Sequence, residues 1–120
     1  MTAINGTFSN ADVDAIETLV EVRCKDAEEM YVSFVVGTAN LSDFNVDFRC
    51  HPQGGWFTVA SVAADYTTPE GPILGASGDL TTAASGATVH WLKLDVKAAH
   101  DVRIQAAGTS STVTGHWGAS

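Results

Sequence analysis

Apolar and polar residues alternate along most of this 120-residue chain from about Glu17 onward. A period of two predicts β-strands that turn one face toward a core. Seven alternating runs predict strands near 17–24, 30–37, 44–50, 56–64, 88–96, 101–107 and 112–117. No stretch keeps a helical period for more than about two turns. The pattern therefore predicts an all-β domain.

Segments of turn composition separate these runs at spacings of about ten residues. They are KDAEE, GTANLSD, HPQGG, KAAHD and GTSS. Short, regularly spaced strands with such turns are typical of an antiparallel β-sandwich or jelly-roll-like fold, here with about seven to eight strands. The run VHWLKLDVKAAHDVRIQAAG, residues 89–108, predicts a hairpin with Leu92, Leu94, Val102 and Ile104 on one face.

The apolar positions of the alternating runs predict the core of the sandwich. The predicted core residues are Val20, Val22, Val32, Phe34, Phe44, Val46, Phe48, Val59, Leu92, Leu94, Val102 and Ile104.

Two segments do not follow the alternation. Residues 1–15 are predicted to form an N-terminal arm before a single sandwich domain over 16–120, and the apolar Ile4 and Phe8 in it would need cover, for instance on another subunit. The stretch 66–87 holds two of the three prolines and predicts an extended crossover between sheets, with a short strand near Pro72–Leu74. Both segments are predicted to make contacts with neighbouring molecules.

The formal charge of −8 argues against binding to nucleic acid or to anionic membranes, because both depend on clustered Lys and Arg. No run approaches the ~18 apolar residues of a membrane helix, and the first residues lack the pattern of a signal peptide. A cytoplasmic site of synthesis follows. In that reducing compartment Cys24 and Cys50, each at the apolar end of a strand run, are predicted to be buried free thiols rather than a disulfide.

The residues carry little catalytic or metal-binding signal. Asn10, Asp12, Asp14 and Glu21 fall at calcium-loop spacing, but Ala15 stands where the loop needs glycine, so a solvated acidic segment is favoured. The four histidines, His51, His90, His100 and His116, form no metal-binding pair, and they are predicted to be ordinary surface or hydrogen-bonded residues, the first and third in turns and the others in strands. Neither a nucleophile motif nor a phosphate loop occurs. We expect no catalytic residue, no metal site and no cofactor.

The three tryptophans are candidate contact residues because aromatic rings anchor interfaces and stack on sugars. Trp91 shares the polar side of its run with Lys93 and Asp95, which predicts a place at a sheet surface or rim. Trp56 is predicted to pack over the end of the core, and Trp117 to lie at a strand end that could dock on a neighbour. The candidate interface residues are Ile4, Phe8, Trp91 and Trp117.

The succession FNVDFRCHPQGGWFTV, DYTTPEGPIL, VHWLKLDVKAAHDVRIQAAG and STVTGHWG, over roughly residues 40–118, resembles small β-sandwich structural proteins of tailed-phage virions. The resemblance implies a non-enzymatic decoration (cement) protein that binds the major capsid protein or another virion protein on the outer surface of the head, after assembly in the host cytoplasm. Self-association, for example as a trimer, would accompany that role. Neck, tail or fibre components and carbohydrate- or receptor-binding modules remain alternatives.

Overall fold

The computed structural model describes residues 4–62, 71–77, 80–81 and 89–120. These residues form nine β-strands: β1 (Ile4–Val13), β2 (Glu17–Arg23), β3 (Glu29–Gly37), β4 (Leu41–Arg49), β5 (Phe57–Val62), β6 (Ile73–Ala76), β7 (His90–Asp95), β8 (Asp101–Gly108) and β9 (Ser111–Ala119). No helix within those ranges is long and apolar enough to cross a bilayer.

The strands build two antiparallel sheets, in the orders β1-β9-β3-β7-β6 and β2-β8-β4-β5. The inward faces of the sheets pack against each other: the rings of Phe34 on β3 and Phe44 on β4 stack with centroids 5.2 Å apart. The predicted antiparallel β-sandwich is confirmed, with nine strands among the described residues instead of seven or eight.

The core is the one that alternation predicts, extended by residues outside the regular runs. Ten of the twelve predicted core residues are buried, and Val22 and Val59 are partly buried and pack against the others. The core also contains residues outside the predicted set, among them Val13, Met30, Val36, Ile73, Leu80 and Val113.

The predicted hairpin over residues 89–108 is wrong in its pairing, although both of its strands exist. β7 lies in the five-stranded sheet and β8 in the four-stranded sheet. The turn between them therefore crosses from one sheet to the other, and Leu92 and Leu94 belong to the same buried cluster as Val102 and Ile104 on the opposing sheet. The shared apolar alternation indicates that both strands line the same core. Strands that face each other from opposite sheets produce this pattern as well as strands that pair within one sheet.

The predicted N-terminal arm is a strand of the sandwich. Ile4–Val13 pairs antiparallel with β9 from Ile4↔Ala119 to Val13↔Ser111, with an irregularity after Asn10. The inward positions of β1 include Gly6 and Asn10, so the apolar alternation that marks the other strands is absent. The indole of Trp117 on β9 fills the space at Gly6, where an added Cβ would lie 2.6 Å from the indole nitrogen.

The predicted crossover over 66–87 is described only at 71–77 and 80–81, and the remainder of it, like the end of the predicted 56–64 strand, lies outside the described residues. The short strand expected near Pro72–Leu74 is present as β6, which pairs with β7 at the edge of the five-stranded sheet. Ile73 and Leu80 are fully buried, so these two residues tie their segment to the core.

Candidate binding surface on the five-stranded sheet

The outer side of the five-stranded sheet exposes large apolar side chains. Trp91, Tyr31 and Val89 are 46%, 48% and 54% exposed, although they stand on or beside central strands. We call this surface the aromatic face. It comprises the outward residues of β3, β7 and β9, together with Val89, which precedes β7. The members are Tyr31, Ser33, Val35, Val89, Trp91, Lys93, Thr114, His116 and Gly118.

Trp91 is held in place by its backbone and by a glycine. The Trp91 N–H donates to Ser77 Oγ at 2.9 Å, and the Ser77 N–H donates to the Trp91 carbonyl at 3.0 Å. The indole ring lies across Gly75 on β6, where an added Cβ would come within 3.2 Å of the ring. The ring therefore packs against the sheet at Gly75 and remains about half exposed to a partner. The predicted surface position of Trp91 is confirmed.

Tyr31 is oriented by a small network of charged residues. Its hydroxyl donates to Glu29 Oε2 at 2.8 Å, and Lys93 Nζ lies 5.4 Å from the centre of its ring and 3.5 Å from Glu29 Oε2. The pKa of Lys93 is raised because hydrogen bonding to Tyr31, followed by the charge of Glu29, favours the ammonium form. The aromatic face thus carries a cation and a carboxylate beside its rings. Tyr31 is not among the predicted interface residues, although its position opposite the apolar side of β3 indicates an outward side chain.

Two shallow grooves cross the aromatic face. One, of about 290 Å³, runs between Tyr31 and Trp91 toward His116, and the other, of about 250 Å³, lies between Val35 and Val89. Their walls are mainly apolar, and His116 borders both grooves. These two open, shallow grooves suit contact with a protein segment or a ring-shaped ligand.

The outer side of the four-stranded sheet has the opposite character. Asp47 on β4 accepts from Arg103 Nη2 at 2.9 Å and from Thr58 Oγ1 at 2.8 Å, while Arg49 Nε donates to Asp101 at 2.9 Å. We call Asp47, Arg49, Trp56, Asp101 and Arg103 the arginine–tryptophan cluster. Asp47 and Asp101 are only 3% and 7% exposed, so the sheet surface holds two largely buried, paired carboxylates.

Trp56 covers this cluster and not the core, which corrects the predicted position. The Cζ atoms of Arg49 and Arg103 each lie 4.6 Å from the centre of its ring. The alternation in FNVDFR places Asp47 and Arg49 of β4 on the outer side of the sheet. The HPQGG turn then reverses the chain, so that the indole of Trp56 lies over these charged residues. Planar guanidinium groups stack well on aromatic rings, so Trp56 shields both ion pairs from water.

His100 completes one end of the cluster. Its Nδ1 lies 2.8 Å from Asp101 Oδ2, on the same oxygen that binds Arg49. Burial alone would raise the pKa of Asp101, but the hydrogen bonds and charges of His100 and Arg49 outweigh burial and lower it. These carboxylates are committed to structural pairs, which leaves them poorly suited to act as general bases.

The other predicted interface residues lie at or near the N-terminal edge of the five-stranded sheet. Ile4 is 39% exposed, whereas Phe8 and Trp117 are partly buried and pack against the core. Phe8 lies over Gly115, where an added Cβ would be 2.7 Å from the ring. Ile4 and Trp91 are therefore the members of the predicted set that present a substantial exposed surface.

The segment with calcium-loop spacing is extended, since β1 runs to Val13 and β2 begins at Glu17. Asp14 Oδ1 accepts from the Ser110 N–H at 2.9 Å and so fastens the turn before β9. Among the described residues, no group of three or more His, Cys, Asp or Glu side chains is placed to hold a metal ion.

The histidines lie where the sequence predicts, with His51 and His100 in turns and His90 and His116 on strands. His90 is buried, with its ring centre 5.4 Å from that of Phe34, and His116 is exposed on the aromatic face. His51 Nδ1 accepts from the Gln53 N–H at 3.1 Å within the HPQGG turn. The four residues thus occupy four separate settings.

The two cysteines are free thiols, but only Cys24 is buried. Burial, followed by the nearby charge of Asp101, raises the pKa of Cys24 to about 11. The predicted burial of Cys50 is wrong, because β4 ends at Arg49 and Cys50 begins the turn. The apolar alternation continues in the sequence beyond the point where the backbone leaves the sheet.

Neither a protein-family model nor a curated protein matches this chain. Among solved structures, the fold is similar to the crystal structure of the SPBc2 prophage-derived protein YomS. That similarity has a TM-score of 0.55 at 11% sequence identity and covers 99% of this chain and 95% of YomS. The two proteins therefore share a fold over nearly their full lengths.

Proposed function

We propose that this protein is a non-enzymatic structural protein of a phage particle, and that it decorates the outer surface of the head and stabilises it. The observation that carries the proposal is the aromatic face, an exposed and largely apolar surface on a β-sandwich. The shared fold of a prophage-derived protein supports the association with phages. The resemblance of residues 40–118 to virion sandwich proteins supports the same class.

The two outer faces of the sandwich differ in the way that a one-sided binding protein requires. On the four-stranded sheet, Asp47 and Asp101 already pair with Arg103 and Arg49, so covering these ion pairs with a partner would remove the remaining hydration of the arginines without forming new pairs. On the aromatic face, Trp91 and Tyr31 are about half exposed. Each ring offers roughly 100 Å² of apolar area, worth on the order of 2.5 kcal/mol when covered.

A head surface repeats the same site many times, and this repetition suits a weak contact. Binding that bridges adjacent capsid subunits stabilises the closed shell by mass action, because the bridged state alone retains the contact. If each copy contacts more than one subunit, effective concentration strengthens the second contact without enlarging the surface. The formal charge of −8 favours a position outside the shell over one that faces packaged DNA.

The experiment that tests this proposal is quantitative mass spectrometry of density-purified phage particles from the host that carries the gene. A decoration protein would be present in hundreds of copies per head. A few copies or about a dozen would place it in the neck, tail or fibre instead. Absence from intact particles would refute a structural role altogether.

A carbohydrate- or receptor-binding module is the second candidate, because the same surface sets charged groups beside aromatic rings. Trp91 and Tyr31 could stack on sugar rings while Lys93, Glu29 and His116 bind hydroxyl groups. Saturable binding on a glycan array that Trp91→Ala abolishes would favour this candidate. Phe57 on β5 is exposed to a similar extent, so Phe57→Ala provides the matched control.

A further inference from the structure

The edge formed by β1 is a second exposed feature, and it presents backbone groups in place of aromatic rings. β1 is the outermost strand of the five-stranded sheet and pairs on one side with β9. Alternate N–H and C=O groups of an edge strand point away from its neighbour and can pair with another strand. The register with β9 is regular from Ile4↔Ala119 to Asn10↔Val113, which gives a straight edge of seven residues.

This edge lacks the features that usually prevent edge-to-edge pairing. Ile4–Asn10 contains no proline and no charged residue, and its irregularity begins only after Asn10. The edge strand β2 carries Glu17, Glu21 and Arg23 and a register shift, while β6 has four residues, follows Pro72 and is also irregular. Natural sheets protect their edges with charge, proline, bulges or shortness. The fourth edge strand, β5, is uncharged like β1, but its pairing with β4 has a register shift. Among the four edges, β1 therefore has the longest regular and uncharged stretch.

We propose that β1 pairs antiparallel with β1 of a second copy of this chain, about a two-fold axis at Thr7, and joins two five-stranded sheets into one of ten strands. Thr7 is the midpoint of the regular segment. A two-fold axis perpendicular to the sheet places Thr7 opposite Thr7 and Asn5 opposite Ser9 on the outer side. Polar pairs of this kind are favourable across antiparallel strands.

The inner side of the paired edges is also self-complementary. There Gly6 of each copy faces Phe8 of the other, the combination that β1 already makes with β9, where Gly6 pairs with Trp117 and Phe8 with Gly115. Because a small residue faces a large one, the paired edges do not oppose two bulky side chains at these positions. Ile4, which faces inward and yet is 39% exposed at this edge, would gain cover from the second copy.

The strand proposed to pair with this edge belongs to a second copy because Ile4–Asn10 is complementary to itself in charge and in side-chain pattern. A chain of net charge −8 repels its own kind, yet the seven residues of this edge are uncharged, so the contact itself opposes no like charges. The remaining repulsion acts at longer range, where salt screens it. Dimerisation should therefore strengthen as ionic strength rises. The proposed dimer does not depend on the proposed function.

The test measures the dimer dissociation constant by sedimentation velocity for the wild type and for single substitutions on the outer side of the sheet. Thr7 is exposed, so Thr7→Lys and Thr7→Glu should preserve the fold while placing two like-charged side chains directly opposite each other across the axis, with their Cβ atoms about 5 Å apart. Thr114→Lys is the matched control, because Thr114 is equally outward on β9, one strand farther from the axis. Circular dichroism verifies that each variant is folded.

We expect the wild type and Thr114→Lys to dimerise with similar constants, and each Thr7 variant to dimerise about fivefold or more weakly. An equimolar mixture of Thr7→Lys and Thr7→Glu should restore dimers, because the axis then joins opposite charges. A monomeric wild type, Thr7 variants as dimeric as the control, or a mixture that stays dissociated would each overturn the proposal.

Discussion

The Asp47–Arg103 pair offers the sharpest test of how the four-stranded sheet is stabilised. Asp47→Ala removes a carboxylate that is 3% exposed and accepts from Arg103 and Thr58, and it leaves the Arg103 guanidinium under Trp56 without its counterion. Loss of one partner from a buried ion pair costs about 3–5 kcal/mol. The side chain of Arg103 is 23% exposed and retains some hydration, so we expect a loss of about 2–4 kcal/mol.

The assay is thermal unfolding of the wild type, Asp47→Ala and Asp43→Ala. Asp43 stands on the same strand but is exposed, so its removal should change stability by less than about 0.5 kcal/mol. For a domain of this size, about 3 kcal/mol corresponds to a fall in Tm of roughly 12 °C. Equal Tm values for the two variants would refute the inference that the buried pair stabilises the sheet.

Two further predictions concern single sites in the two sheets. Gly115→Ala should destabilise the fold by at least about 1–3 kcal/mol in urea unfolding, because the new Cβ would meet a backbone carbonyl oxygen of β3. Gly55→Ala should change the free energy of unfolding little, because nothing lies within 4 Å of the added Cβ. Equal losses for the two glycine variants would contradict the packing described. The lowered pKa of Asp101 adds stability above about pH 4 that is lost as the pH falls. The stability gap between the wild type and Asp101→Asn should therefore narrow from pH 6 to pH 3, and a constant gap would contradict this.

Alternation was sufficient to predict the strands whose inward residues are mostly apolar. β3 and β7 follow their predicted runs closely because each inward position, such as Val32 or Leu92, contributes a side chain to the core. The same logic placed Trp91 on the outer surface. The apolar alternation of a strand predicts which of its residues are buried when the strand's own inward side chains fill the adjacent core.

Features that depend on contacts between residues far apart in the sequence could not be predicted from alternation. The sequence predicts an arm where β1 lies, because Gly6 interrupts the apolar pattern and the residue that fills its space, Trp117, is more than a hundred residues away. Predicting the ion pair between Arg103 and Asp47 requires the strand order, because β8 lies beside β4 and not beside β7. A period of two shows which side of a strand is buried, but it does not specify the neighbouring strand.

The central claim is that the aromatic face binds the surface of a phage head. The most direct measurement is the binding of purified protein to heads produced without its gene, for the wild type, Trp91→Ala and the matched control Phe57→Ala. We predict saturable binding of the wild type and the control, and a loss of affinity of about tenfold or more for Trp91→Ala, because about half of an indole ring no longer contributes. Equal binding of Trp91→Ala and the wild type, or no binding of any form, would contradict the claim.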